Sequence, residues 1–198
     1  MFVEIERFRS ILAKTGVATS DFDLNPDVVL GADRVLRPAG VLAPIVEQNG
    51  RLHLLLTKRS SALKHHPGQI AFPGGKQDEG DADVIAAALR EAWEEIGLPP
   101  ENVDVLGTLP AHETVTQFNV TPVIGFVRDA FDIKPEPGEV EEVFAVPLDH
   151  VLDPANYIIH SRRWRGTRRH YFTVPYGPYY IWGATARMLR AWTERMSL

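Results

Sequence analysis

Apolar positions along the 198-residue chain fall into two rhythms, one of helices and one of strands. In residues 2 to 15, Phe2, Ile5, Phe8, Ile11 and Leu12 recur at helical spacing between charged neighbours, which predicts an amphipathic N-terminal helix. A polar, proline-containing segment follows to about residue 38. From Gly40 the pattern changes. VLAPIVEQNGRLHLLLTKR is two apolar runs around Asn49-Gly50, a dipeptide that favours a tight hairpin, so two antiparallel strands are expected. Residues 69 to 75, QIAFPGG, read as a short strand running into a turn, with Pro73-Gly74-Gly75 expected to continue neither regular element.

A helix is predicted from about Ala82 to Ile96. Asp81 or Asp83 is available as its N-cap, alanines fill its body, and Gly97 followed by Pro99-Pro100 stops it. Strand-like runs then recur at VDVLGTL, QFNVTPVIGFV, EVFAVPL, NYIIHSRRW and RHYFTV, and a last helix is expected from about Gly183 to Met196. Mixed strands, one central helix and two terminal helices make an α+β layout rather than a regular βαβ alternation.

Composition narrows the picture. The length suits one domain with decorations, and 44% hydrophobic with 24% charged residues is the balance of a chain that buries its own core. The absence of cysteine leaves only oxygen and imidazole ligands for any metal. The N-terminus mixes acids and bases among apolar residues, unlike a signal peptide, and no apolar run is long enough to span a membrane, so the cytoplasm and no membrane partner are expected. A net charge of -5 argues against a nucleic-acid partner. Against that acidic background stand five arginines, Arg162, Arg163, Arg165, Arg168 and Arg169, which read either as a solvated strand hairpin or as an anion site.

On the central helix, Glu91, Glu94 and Glu95 stand at i, i+3 and i+4, so they project from one side within about 6 Å of each other. Such like charges repel by roughly 0.2 to 0.5 kcal/mol per pair. Arg90 supplies part of the compensation, but one guanidinium cannot balance three carboxylates. A hard divalent cation can, because Mg2+ and Mn2+ take carboxylates, waters and phosphates as ligands. An acidic helix face taken alone is usually just solvated. Here a glycine turn, Phe72-Pro73-Gly74-Gly75, comes immediately before it, and its backbone can approach a ligand closely.

Glycine turn, helix, then Arg90-Glu91-Ala92-Trp93-Glu94-Glu95-Ile96-Gly97-Leu98 resembles the signature of the Nudix hydrolase family. Two departures stand out. Fourteen residues separate Gly75 from Arg90 where the signature has one fewer, and its isolated Glu is missing, with Asp81 or Glu79 as substitute. Upstream, Leu55-Leu56-Thr57, Arg59-Ser60, Gly68 and Phe72 to Gly75 are similar to the extended signature of the coenzyme A pyrophosphatase branch, with Lys64 where Arg is expected. Glu139-Val140 and Ile181-Trp182-Gly183-Ala184-Thr185-Ala186 fit that branch too.

The resemblance implies an α+β Nudix fold, a mixed β-sheet sandwiched between helices (α/β/α). An N-terminal helix and extended arm (1–38) would precede the Nudix domain (39–198). It implies Mg2+- or Mn2+-dependent cleavage of a diphosphate bond in a small nucleotide-like substrate. Coenzyme A is favoured, giving 4'-phosphopantetheine and adenosine 3',5'-bisphosphate. By the same resemblance Glu91, Glu95 and Glu94 are metal ligands, the Gly75 carbonyl completes a metal site, and Arg90 orients the glutamates. Glu139 is the first candidate for general base and Glu113 the second. Lys58, Arg59 and Lys64 are expected to bind substrate phosphates. ADP-ribose or another nucleoside diphosphate derivative is the alternative substrate. A noncatalytic nucleotide-binding module is the alternative from a different class, and it would be expected to lose metal-binding glutamates. A homodimer through the N-terminal helix and the aromatic C-terminal region is a further expectation.

Overall fold

The computed structural model describes residues 2–31, 33–164 and 166–197; the side chains of residues 2 and 164 fall outside the description. Of the sequence readings, Arg165 in the arginine run and the side chains of Phe2 and Trp164 therefore lie outside the described residues. In chain order the elements are α1 (Phe2–Leu12), β1 (Thr19–Ser20), β2 (Arg37–Gln48), β3 (Arg51–Arg59), β4 (Ile70–Ala71), β5 (Gly74–Lys76) and α2 (Val84–Ile96). They continue with β6 (Val103–Thr108), β7 (His112–Glu113), β8 (Phe118–Val127), β9 (Val140–Pro147), α3 (Leu148–Leu152), β10 (Ile158–Trp164), β11 (Thr167–Thr173) and α4 (Gly183–Met196).

β2 and β3 meet at Asn49-Gly50, both with positive φ (53° and 77°), which is what a two-residue hairpin turn of matching twist requires. β2 also runs parallel to β8 from Arg37↔Phe118 to Ile45↔Phe126, and β9 lies antiparallel to β3. Alternation along β2 sorts the two faces. Leu42 faces Ala88, Ala92, Ile96 and Val123, so α2 covers one side. Ala43 and Ile45 join Phe8, Leu189 and Trp192, so α1, α3 and α4 cover the other. The sheet is thus mixed and held between helices, as expected.

One glycine sets how closely these layers approach. A Cβ on Gly40 would lie 1.9 Å from the Val84 carbonyl oxygen, so only glycine lets α2 seat its first turn against β2. The Pro73-Gly74-Gly75 turn expected from sequence is corrected at its end: Gly74–Lys76 is a short strand, antiparallel to β2 with Gly75 opposite Gly40. α2 starts at Val84, with Asp83 as N-cap accepting from the amides of Ile85 and Ala86, and Gly97 closes it in the left-handed region at φ 72°.

The N-terminal segment is built into the same core. Phe8 meets Trp192 edge to face at 5.7 Å, and the buried Arg195 donates to the carbonyls of Ile11, Leu12 and Lys14 at the end of α1. The helix stops at Leu12, a turn before the sequence suggested. β1 adds to the sheet beside β7, where the fully buried His112 lies between Thr19 Oγ1 (2.9 Å) and Asp21 Oδ1 (3.2 Å). No described helix is long and apolar enough to cross a membrane.

Candidate active site

The glycine strand and the middle of α2 meet side by side. A Cβ on Gly75 would lie 2.5 Å from Glu91 Cδ, so the carboxylate occupies the space that any larger residue at 75 would fill. One turn on, Glu95 is 5% exposed, and its Oε2 accepts from the Gly74 amide at 3.2 Å. Helical spacing puts residues i and i+4 together, and here both carboxylates are pressed against the Gly74-Gly75 backbone. Glu94 behaves differently. It lies on the other flank of Glu91, its side chain is 55% exposed, and it turns toward Arg90 at 2.9 Å.

Arg90 is the hub of this arrangement. Its Nε and Nη2 each reach one oxygen of Asp81 at 3.0 Å, a forked pair, while Nη1 contacts Glu91 Oε1 at 3.0 Å and Glu94 Oε2 at 2.9 Å. Nη2 also donates to the Lys76 carbonyl at 3.3 Å. The hydrogen bonds to Asp81 first, then to Glu91, raise the guanidinium pKa and keep it charged, while Arg90 holds the Asp81 carboxyl below its ordinary value. Asp81 thus holds the guanidinium that steadies the glutamates, and it leaves the capping of α2 to Asp83. The sequence offered Asp81 only as a possible N-cap or as a substitute for the missing Glu of the signature, and neither reading points to Arg90.

Electrostatics mark Glu95 and Glu91 as the strained pair. Burial pushes the Glu95 carboxyl up to about 8; the Gly74 amide opposes this, Glu91 and Glu139 add to it, and Arg59 draws it back. Burial also raises Glu91, against Arg90 and with help from Glu94 and Glu139. Glu139 is near enough for its charge to act on both carboxylates; it lies on the exposed turn before β9, where its carbonyl accepts from the Ser60 amide at 2.8 Å. Arg59 also belongs here, and its buried Nε has no hydrogen-bond partner among the described residues. Among the described residues no three acidic or imidazole side chains already converge as a cation cage.

Other sequence candidates sit elsewhere. Glu113 is paired with Arg34 of the N-terminal arm at 2.6 Å. Lys58 is bound to Glu141 at 2.6 Å, and Lys64 is exposed on the loop between β3 and β4. The arginine run forms the antiparallel pair β10 and β11, with Arg162 opposite Arg169 and Arg163 opposite Arg168.

Residues 36–165 match the NUDIX domain model. The chain belongs to the Nudix hydrolase family. It is 43% identical over 171 residues to a Citrobacter koseri protein called "Uncharacterized Nudix hydrolase NudL", covering 86% of this chain and 88% of that one. It is 44% identical over 154 residues to the Escherichia coli protein of the same description, covering 78% and 80%. A crystal structure of the Nudix hydrolase RenU from M. smegmatis aligns with TM-score 0.50 and 25% identity, over 61% of this chain and 83% of that one. This Nudix protein is accordingly an enzyme, a hydrolase of the pyrophosphatase kind. Its signature residues are the ones gathered between β5 and α2.

Proposed function

We propose that this Nudix hydrolase cleaves the diphosphate bond of coenzyme A, with Mg2+ or Mn2+, into 4'-phosphopantetheine and adenosine 3',5'-bisphosphate. One observation carries the reading: the half-buried Glu91 and the buried Glu95 lie together against a glycine strand, with too little positive charge to settle them, beside an arginine that keeps a buried donor free of protein partners. Oxygen donors crowded in this way fit a hard cation, and burial raising both carboxyls is the expected sign of a site short of positive charge. A bound Mg2+ or Mn2+ supplies neutralisation of the diphosphate oxygens and a lowered pKa for the attacking water.

The protein's own groups do the rest. Gly74 fixes Glu95 through its amide, Gly75 leaves room for Glu91 and offers its carbonyl as a further ligand, and Arg90 restrains Glu91 and Glu94. Second-layer contacts of this kind orient ligands and commonly matter 10- to 100-fold. Glu139 is the group we assign to take the proton from water, since its charge already acts on both Glu91 and Glu95. Arg59 would meet a phosphate oxygen with its unused Nε, with Lys58 and Lys64 contributing charge from the same end of β3 and the loop beyond. The choice of coenzyme A rests on the similarity of residues 55 to 75, and of Ile181 to Ala186, to the coenzyme A pyrophosphatase branch.

The test is mass-spectrometric identification of products from coenzyme A and, in parallel, ADP-ribose, each with Mg2+ and with Mn2+. The expected result is the pair of 4'-phosphopantetheine and adenosine 3',5'-bisphosphate, formed faster than ADP-ribose is cleaved. Turnover of ADP-ribose far above that of coenzyme A would overturn the substrate choice.

A further inference from the structure

On the sheet face that carries α4, away from the glutamates, an open cavity of about 430 Å³ lies over the ends of β3, β4 and β9. Its size is in the range of small-molecule sites, roughly 300 to 1,000 Å³. Lys58 and Glu142, opposite each other on β3 and β9, and Ile70 of β4 form its floor, while Tyr179, Tyr180 and Trp182 stand over it from the loop before α4. All three rings are fixed from behind. Tyr179 stacks on Phe144 with centroids 3.5 Å apart and planes 6° from parallel, and its hydroxyl donates to Glu142 Oε1 at 2.6 Å. The Tyr180 hydroxyl is bonded to His160 Nδ1 at 2.7 Å. Trp182 carries the Arg162 guanidinium over its ring at 4.4 Å and the edge of Tyr171 at 5.1 Å.

A loop needed only to cover the core would bury these rings. Here they border open space, already held in place, so no rotamer freedom need be lost when a flat ligand arrives. The polar groups narrow the ligand class. Aromatic walls favour a flat π system, Glu142 Oε2 is an acceptor for an exocyclic amine, and the cation Lys58 on the floor suits a phosphate attached to it. The cavity also shares its strand with the reaction site: Lys58 precedes Arg59, whose charge is felt by Glu95.

We propose that this cavity is the nucleobase subsite, taking the amino-bearing purine ring of the substrate between Tyr180 and Trp182 with its amine on Glu142 and an accessory phosphate near Lys58. The proposal rests on the reading of this protein as a hydrolase of nucleotide-like diphosphates. It gives the arginine hairpin a task, since Arg162 is what backs the Trp182 ring.

The experiment is calorimetric titration of the metal-free protein with adenosine 3',5'-bisphosphate, and with inorganic pyrophosphate as a ligand lacking the ring. The parent is expected to bind the bisphosphate more tightly than pyrophosphate. Trp182→Leu is expected to weaken the bisphosphate roughly tenfold, the scale of one lost base stack, and to leave pyrophosphate binding as it was. Tyr180 is 41% exposed, so Tyr180→Ala, expected to weaken it several-fold, provides a variant whose fold is not at stake; unfolding midpoints by circular dichroism check both. Equal affinity of the parent for the two ligands, or full bisphosphate affinity in both folded variants, would overturn the subsite. Because the titration needs neither metal nor turnover, a parent that binds through these rings but hydrolyses no diphosphate sustains the subsite while the proposed reaction fails.

Discussion

The acidic turn of α2 and the basic hairpin of β10 and β11 both concentrate like charge, and they handle it in opposite ways. On α2 the carboxylates are drawn inward: Glu95 is buried on a backbone amide, Glu91 fills the place of a missing side chain at Gly75, and Arg90 and Asp81 brace them. On the hairpin Arg163 and Arg168 face each other across the strands and remain exposed to solvent. Water screens the second cluster throughout, and in the first it hardly reaches Glu95. Repulsion that the fold retains at the expense of its own stability points to chemistry, whereas repulsion left in water is inexpensive and need not mean anything.

Removing the buried charge should produce the largest effect, and in two directions at once. We predict that Glu95→Gln lowers diphosphate hydrolysis by roughly a hundredfold or more, the upper end of what loss of a supporting group alone does. The same change should raise Tm in the absence of metal. Glu95 is held up to about 8 in the folded protein against an ordinary 4.5, so the folded state keeps a proton that the unfolded chain releases. Its ionisation therefore works against the fold as pH climbs between those values. The advantage of the glutamine variant should be slight at pH 5 and amount to roughly several degrees at pH 8. Melting curves at the two pH values check this, and a variant less stable than the parent at pH 8 would remove the contrast between the regions.

Gly75→Ala tests the glycine strand. The new Cβ would fall 2.5 Å from Glu91 Cδ, so the carboxylate is forced out. We expect activity to drop about 10- to 100-fold, with a stability loss of roughly 1–3 kcal/mol in urea unfolding. Activity close to that of the parent would mean that Glu91 does not need its present seat. Asp81→Ala comes next: Arg90 loses its forked partner, and kcat should fall by about tenfold, the lower end for an orienting contact, while the helix stays capped by Asp83.

The smallest effect is expected on the hairpin. Replacing both Arg163 and Arg168 by Ala removes two opposed like charges, so stability should stay within about 0.5 kcal/mol of the parent or rise slightly. Urea unfolding measures this, and a loss beyond that range would show that the exposed cluster is as firmly wired as the acidic one.

How much of this was legible in the sequence follows the reach of each interaction. Asn49-Gly50, the Asp83 cap, the Gly97 stop and the span of α4 are local signals, and each lies where its residues indicated. Gly74–Lys76 was misread as turn alone because its strand character comes from pairing with β2, more than thirty residues earlier. The short α3 went unforeseen for a similar reason: five residues carry too little periodicity, and Leu148 and Val151 are helical in a context set by the core. Within the site, spacing indicated that Glu91 and Glu95 lie together, while the turn of Glu94 toward Arg90 on the solvent flank depends on side-chain pairing that spacing does not encode. Asp81's grip on Arg90 and Glu113's commitment to Arg34 depend on loop and arm paths that no local pattern encodes.

The central claim is that two carboxylates on neighbouring turns of α2 gather a divalent cation beside a glycine strand. Anomalous difference maps from crystals soaked in Mn2+ test it most directly. The account predicts a peak at coordination distance, about 2.1 Å, from oxygens of both Glu91 and Glu95. Well-ordered Glu91 and Glu95 carboxylates with no peak beside them, in crystals that bind Mn2+ elsewhere, would contradict it.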